Sequence, residues 1–371
     1  MKFSISQDTF SEVLQKHIPV LPVRTTLPIL NSMKLDIQDS RMNLHSTDLE
    51  ITLITNTEVV SEGTGSATVP ARKLSEIVRE LPSEMIEVEI DDNHQFTVNC
   101  STGVYKISGS DAEDFPAVPE SGGGKNITMN GEQFKTLVNR TVFAVSKDDM
   151  RPTLCGIYLH VLPGEVRTVS TDGHRLSKMV DTSFETDEEK TFEVIVPVKS
   201  LNLAVKTIAD DDEINIAVSG NYLMIDLGDE QLYSRLIEGK YPLYENVIPK
   251  TNQNMLIAPT EALNAATRRV SIFSNSLTRQ VKFQLSENSL MISAEDADTG
   301  GSAEEHLEVD YDGEEMEIGF NSNYIVEALR HIGSEDVKFS IGTPDSACII
   351  TPTEKQEDQN FLMLLMPVRL P

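Results

Sequence analysis

A chain that repeats itself at domain-sized intervals can fold only as a tandem array of one domain plan, and this 371-residue chain carries that signature. Ser46-Thr47-Asp48 in "HSTDLEIT" returns as Ser170-Thr171-Asp172 in "VSTDGHRLS" and as Ala294-Glu295-Asp296 in "SAEDADTG", so successive aspartates stand 124 positions apart. "VPARKLSEIVRELP" from Val69 returns as "VPVKSLNLAVKTIA" from Val196 and as "FNSNYIVEALRHIG" from Phe320. A third marker closes each copy: "DAEDFPAVPE", then "EGKYPLYENVIPK", then "LLMPVRLP". The period is far longer than a solenoid repeat, so each copy is a whole domain. Breaks fall at the flexible Gly-rich "ESGGGKN" (120–126) and at "PKTNQN" (249–254), which predicts domains at 1–124, 125–252 and 253–371.

Each copy reads helix, strands, helix, strands. Phe10, Val13 and Leu14 in copy one have the i, i+3, i+4 spacing of an amphipathic helix, as do Phe134, Leu137 and Val138, and Leu263, Ala266 and Val270. The second helix repeats its stripe as Leu74, Ile77, Val78 and Leu81, then Leu201, Ala204, Val205 and Ile208, then Ile325, Ala328, Leu329 and Ile332. Thr9 with Glu12, and Asn130 with Gln133, have the spacing of N-cap pairs. "EMIEVEI", "DEINIAV" and "DVKFSI" alternate as half-buried strands do. The prediction is an α+β fold, three copies of an antiparallel sheet covered by helices on one face.

Composition bears on location and partners. No run approaches the roughly 18 apolar residues of a membrane span, and "MKFSISQDTF" lacks the apolar core of a signal peptide, so a cytoplasmic protein is expected. Cys100, Cys155 and Cys348 form no CxxC pair and are expected to be buried free thiols. The net charge of −28 argues against phosphate binding by the surface as a whole. The helices differ from that average, with 11 basic residues against 7 acidic over the six predicted stretches. Lys16, Arg140 and Arg269 occupy one equivalent last-turn place, and Arg79, Lys206 and Arg330 another. Such residues compensate helix macrodipoles; they would equally turn a cationic face to a shared polyanion, and the sequence leaves both readings open.

"TDGHR" (171–175) invites a catalytic interpretation that the triplication removes. Copy one has Ser-Thr-Asp without histidine, so the aspartate belongs to common architecture, a turn at a strand end. No motif supplies a nucleophile or a metal partner. "GGGKN" fails the P-loop spacing, and Asp210-Asp211-Asp212 reads as surface charge. The chain is expected to be no enzyme, with no catalytic residue, metal or cofactor.

"TLPIL" (26–30), "STDLE" (46–50), "VPARK" (69–73), "DFP" (114–116), "TDGHRL" (171–176), "YPLYENVIPK" (241–250), "MEIGFN" (316–321) and the tail "MPVRL" (366–370) resemble, in order and spacing, the bacterial DNA polymerase III beta subunits, the sliding clamps, nearly end to end. The resemblance implies a head-to-tail homodimer of three-domain crescents, helices inside and sheets outside, closed around duplex DNA without reading its sequence. It further implies partners in the polymerase III catalytic subunit, a clamp loader, repair polymerases, mismatch-repair proteins and ligase. Packing supports the ring independently: six helices at 8–10 Å spacing leave an opening of about 8 Å, twelve leave roughly 25 Å, and a duplex is about 20 Å across.

The same resemblance places Arg24 and Lys147 on loops near the duplex beside the six helix cations. It sets Ile272 and Phe273 of one protomer against Leu74, Ile77 and Tyr105 of the other, where the rival reading of "SIF" is ordinary core. "TDGHRL" becomes one wall of a peptide pocket formed by Leu154, Thr171, Gly173, His174, Arg175 and Leu176. Pro242, Asn246 and Val247 add a second wall, Asn321 and Tyr324 a third, and Met366, Pro367, Val368, Arg369 and Leu370 the tail. Leu154, Leu176, Val247 and Met366 are expected to take apolar anchors, and His174 and Arg175 to donate hydrogen bonds to the partner. Phe361 to Leu365 are expected to form a final edge strand. Two departures stand out: Asn246 where some members carry a basic residue, and Pro371 beyond the usual Arg-Leu ending. Two rivals remain, a DNA binder held by electrostatics alone and a protein scaffold without a central hole.

Overall fold

The computed structural model describes residues 1–119, 124–184, 186, 191–296, 300–354 and 356–370. Glu120 to Gly123 of the expected Gly-rich break, and Pro371, lie outside them. The described residues hold six α-helices: α1 (Gln7–His17), α2 (Ala71–Glu80), α3 (Gly131–Asn139), α4 (Val198–Thr207), α5 (Thr260–Val270) and α6 (Ser322–Ile332). The chain divides into two compact units, one of residues 1–134 and 199–236, the other of residues 135–198 and 237–371. The second sequence repeat is therefore shared between them.

In the first unit an antiparallel sheet of eight strands runs Lys125–Asn130, Glu213–Ser219, Tyr222–Asp226, Glu230–Arg235, Ile51–Glu58, Arg41–Thr47, Ser32–Gln38 and Gly65–Pro70. Its middle joins repeat two to repeat one, with Leu232 opposite Leu53. A five-stranded sheet runs Val60–Glu62, Lys2–Ser6, Met85–Ile90, Gln95–Cys100 and Gly103–Ser108. Phe10 and Leu14 of α1 and Leu74 and Val78 of α2 are fully buried in the core between these elements, where Phe3 meets Phe10 edge to face at 6.0 Å.

The second unit repeats the arrangement. Its nine strands run Phe192–Pro197, Gly156–Leu162, Glu165–Thr171, Arg175–Asp181, Gln359–Leu365, Cys348–Pro352, Asp336–Ile341, Asn254–Pro259 and Asp310–Tyr311. A four-stranded sheet runs Gly301–Glu308, Ser289–Asp296, Gln280–Ser286 and Met316–Asn321. The C-terminal strand is thus interior, paired with Arg175–Asp181 on one side and Cys348–Pro352 on the other. This corrects the expected edge strand. Its backbone is paired on both sides, and its side chains Phe361, Met363, Leu364 and Leu365 are buried.

The helix stripes are buried as their periodicity predicts, apart from the partly exposed Ile77 and Val205. The Asn130–Gln133 pair caps α3 reciprocally, each side chain accepting from the other's backbone N–H at 2.8 and 3.0 Å. Thr9–Glu12 does not cap α1. Ser6 does, its hydroxyl accepting from the Thr9 N–H at 3.1 Å, because the helix begins at Gln7, earlier than expected. Of the cysteines only Cys348 is buried, which corrects the expectation for Cys100 and Cys155, both partly exposed.

Candidate functional site

Thr171 and Asp172 build the turn between strands Glu165–Thr171 and Arg175–Asp181. Asp172 Oδ1 accepts from the N–H groups of His174 (2.9 Å) and Arg175 (3.0 Å). Thr171 Oγ1 donates to the Arg175 carbonyl (2.6 Å) and accepts from the Gly173 N–H (3.1 Å). Repeat one makes the same turn from Thr47 and Asp48, with Asp48 Oδ1 accepting from Glu50 (3.0 Å) and Ile51 (2.7 Å). Leu49 holds φ +76° there, and Gly173 holds φ +93° at the equivalent place. The aspartate is spent on satisfying turn amides in both copies, as a strand-end turn requires. The third copy's turn, residues 297–299, lies outside the described residues.

What repeat two adds is an arginine committed inward. Arg175 pairs with Asp172 through Nε (3.0 Å), with Glu327 of α6 through Nη1, and donates Nη2 to the Phe143 carbonyl (2.7 Å). Its guanidinium lies 4.5 Å from the Tyr324 ring centroid. With the side chain only 12% exposed and each nitrogen engaged, Arg175 is a strut between the turn and α6. The expectation that it donates to a partner is corrected on that ground. His174 is exposed, and its carbonyl accepts the Met366 N–H at 2.8 Å, tying the tail to the turn.

Leu154 and Leu176 come together in one apolar cluster with Tyr158, Val169, Tyr241, Tyr244, Ala347 and Leu364. Both leucines are buried, so they form the floor of any pocket, whereas Val247 (56% exposed) and Met366 (39%) stand at the surface. Asn246 and Val247 are carried by a turn, Tyr244–Val247, which Pro242 precedes by two residues and whose Glu245 accepts from Arg167 (2.8 Å) and Lys178 (3.4 Å). Burial would raise the Glu245 carboxyl, but those two cations draw it below its usual range. Asn321 caps α6 by accepting from the Asn323 N–H at 3.0 Å. Burial and the Asp172 charge raise the Tyr324 phenol above its usual range. Val368 bridges Gly319, its N–H donating to the Gly319 carbonyl at 2.8 Å, while Pro367 is partly exposed and Arg369 exposed. A Cβ on Gly319 would stand 2.4 Å from the Val368 oxygen and 3.0 Å from Leu370, so this strand must be glycine where the tail crosses it.

Sequence reading missed the parts that hold this floor. Tyr158 and Tyr241 stack at 4.7 Å, and Arg151 approaches Gly173 closely enough that a Cβ there would lie 3.1 Å from its Nη1. The paired tyrosines of "YPLY" were a usable signal for the stack; Arg151 had none.

The eight expected DNA-facing cations fall into distinct states. Lys16 pairs with Glu230 (2.6 Å) and Glu12 (3.3 Å), Arg79 with Glu80 (3.2 Å), and Arg269 with Glu305 (2.6 Å). Arg140 is drawn into the fold: it donates to the His331 carbonyl and lies 4.9 Å over the Phe361 ring. Desolvation lowers its pKa from the usual arginine value, so its expected exposure to phosphate is corrected. Among the described residues Arg24, Lys147, Lys206 and Arg330 are exposed and meet no carboxylate. Lys147 and Arg330 share a cleft of about 680 Å³ with His174 and Tyr324, so residues assigned to separate sites meet there.

Of the expected dimer contacts, Ile272 (76%), Phe273 (41%) and Tyr105 (37%) are exposed, which removes the reading of "SIF" as core. Leu74 is 0% exposed and packs in the core of its own unit, so it cannot touch a partner. Ile77 is partly buried against the same core.

Models of the DNA polymerase III beta subunit match the chain over its N-terminal (residues 1–119), central (128–243) and C-terminal (245–369) domains. The beta sliding clamp of Pseudomonas aeruginosa is 32% identical over 375 residues, and that of Escherichia coli is 32% identical over 376, each alignment covering 100% of both chains. Among solved structures, the P. aeruginosa sliding clamp bound to griselimycin superposes with a TM-score of 0.94 at 31% identity, again over 100% of both chains.

Proposed function

The chain belongs to the DNA polymerase III beta subunit family, three tandem clamp domains acting as a sliding clamp without catalysis, and on that premise we propose that two copies close head to tail into a ring around duplex DNA. The observation that carries this reading is a pair of open sheet edges together with exposed apolar side chains. The strand Gly103–Ser108 ends the five-stranded sheet with Val104 and Tyr105 exposed, and Gly301–Glu308 ends the four-stranded sheet. Ile272 and Phe273 stand exposed at the end of α5. Unpaired edges of this length invite pairing with another chain, and a heterologous contact that closes by rotation yields a ring.

Within the ring, domains at 1–124, 125–252 and 253–371 turn Arg24, Lys147, Lys206 and Arg330 toward phosphates and read no bases. The pocket floored by Leu154 and Leu176, rimmed by His174, Val247 and Met366, takes an apolar peptide segment of the polymerase catalytic subunit, the clamp loader, or repair and ligase partners. Among the described residues no helix is long and apolar enough to cross a membrane, which suits a cytoplasmic ring on the nucleoid.

The test is retention. Rings loaded onto closed circular DNA remain bound and run off after linearisation; equal retention on both forms would leave an electrostatic DNA binder instead. Deleting residues 366–371 removes peptide binding and leaves the dimer, because the strand Gln359–Leu365 stays paired on both sides. A truncated chain that binds peptide normally refutes the pocket.

A further inference from the structure

Two of the helix-borne cations are held by acids from sheet strands. Lys16, in the last turn of α1, donates to Glu230 of the strand Glu230–Arg235 at 2.6 Å. Arg269, in the last turn of α5, makes a two-pronged pair with Glu305 of the strand Gly301–Glu308 at 2.7 and 2.6 Å. These are the repeat-equivalent cations of repeats one and three; in repeat two, Arg140 is spent on the His331 carbonyl. Thus none of the three first-helix cations presents a free charge, whereas Lys206 and Arg330 on the second helices do.

The pairs differ in surroundings. Arg269 is 61% exposed but two-pronged, a geometry that fixes guanidinium to carboxylate. Glu230 is 11% exposed and holds Lys16 at 2.6 Å, whereas the second carboxylate near Lys16, Glu12 of the same helix, is 70% exposed at 3.3 Å and screened by solvent, so Glu230 is the partner that fixes the cation. A cation already neutralised by a fixed carboxylate releases no counterion when a phosphate approaches, and so adds little to binding or to its salt dependence.

We propose that Glu230 and Glu305 are counter-charges that set the grip of this clamp on duplex DNA by withholding Lys16 and Arg269 from the phosphates. The inference rests on the reading that the helices face the duplex. A ring retained by topology needs contacts weak enough to slide, and two fixed acids per protomer provide that weakness without removing the cations that also stabilise the helix ends.

The experiment measures affinity of the intact protein for a short fluorescent duplex across a potassium chloride series, with solution mass recorded for each variant. Glu305→Gln and Glu230→Gln each tighten binding at low salt and steepen log K against log salt by about 0.9 for each freed cation that reaches a phosphate. Glu317→Gln, which breaks the 3.0 Å pair with Lys282 on adjacent strands, removes the same charge without freeing a helix cation and serves as the reference. Slopes for the two variants equal to that of Glu317→Gln overturn the proposal. Lys206→Ala and Arg330→Ala probe the underlying reading separately. Their slopes should fall, and unchanged slopes there mean that the helices do not face DNA. If Glu305→Gln loses the dimer, Glu230→Gln, in the other compact unit, decides the matter.

Discussion

Gly319 shows how one absent methyl group seats a whole segment. The tail can run along the strand Met316–Asn321 only because nothing projects toward the Val368 oxygen. Gly319→Ala should therefore lift the tail and weaken partner-peptide binding about tenfold, roughly 1.4 kcal/mol, at unchanged solution mass; fluorescence anisotropy with a labelled peptide checks it, and an unaltered Kd contradicts it. His17 makes a different single-residue point. It is fully buried, with Ser46 Oγ 2.7 Å from Nδ1 and Thr55 Oγ1 3.0 Å from Nε2. Desolvation, aided by His45 and Lys16, lowers its pKa from 6.5 to about 3. The folded state thus refuses a proton that the unfolded chain accepts. The stabilisation is whole above pH 6.5 and declines as pH falls toward 3, by up to about 1.4 kcal/mol per unit. Melting temperatures over that range should fall more steeply for the natural protein than for His17→Gln; parallel curves would exclude His17 as the source.

At the scale of elements, α6 is the hub of the second unit. Arg175 reaches it through Glu327 and Tyr324, and Arg140 reaches its C-terminal end through the His331 carbonyl, beside the Phe143–His331 ring stack at 4.2 Å. Gly333 follows at φ +71°, where a Cβ would strike Arg140 Nη2 at 2.5 Å. Left-handed backbone and lack of space both require glycine there. Arg140→Ala should lower unfolding stability by about 1–3 kcal/mol, since it strips a partner from the partly buried His331 carbonyl, and leave the salt dependence of DNA binding alone. Arg330→Ala should do the reverse. Urea denaturation and duplex titrations separate the two residues, and a salt-slope loss in Arg140→Ala would restore it to the DNA face.

At the scale of the molecule, the ring predicts a solution mass of about twice 41.1 kDa. Ile272→Asp or Phe273→Asp places a charge at the apolar centre of the proposed interface, where an unpaired buried charge is strongly unfavourable. Either should yield folded single protomers by light scattering; an intact dimer of both variants would move the interface elsewhere. The acidic balance of −28 suits such a ring, because the exterior then repels DNA while a few uncompensated cations meet it.

The triplicated plan, the helix stripes, the Asn130–Gln133 cap and the strand-end aspartate turn were legible from residues alone, since each depends on contacts within a few positions or on a period that survives divergence. The family, and with it the function, followed from ordered motifs. Which cations remain free was decided only in three dimensions. Glu230 and Glu305 lie 214 and 36 positions from the residues they neutralise, and nothing local marks either as a partner. Arg140 shares its place in the repeat with Lys16 and Arg269, yet is drawn half-buried into the fold because Phe361 and His331 happen to face it. Arg175 looked like a donor to a partner until α6 brought Glu327 against it. Charge type is written in the chain; charge compensation is a property of distance, and only the folded chain sets distances between residues remote in sequence.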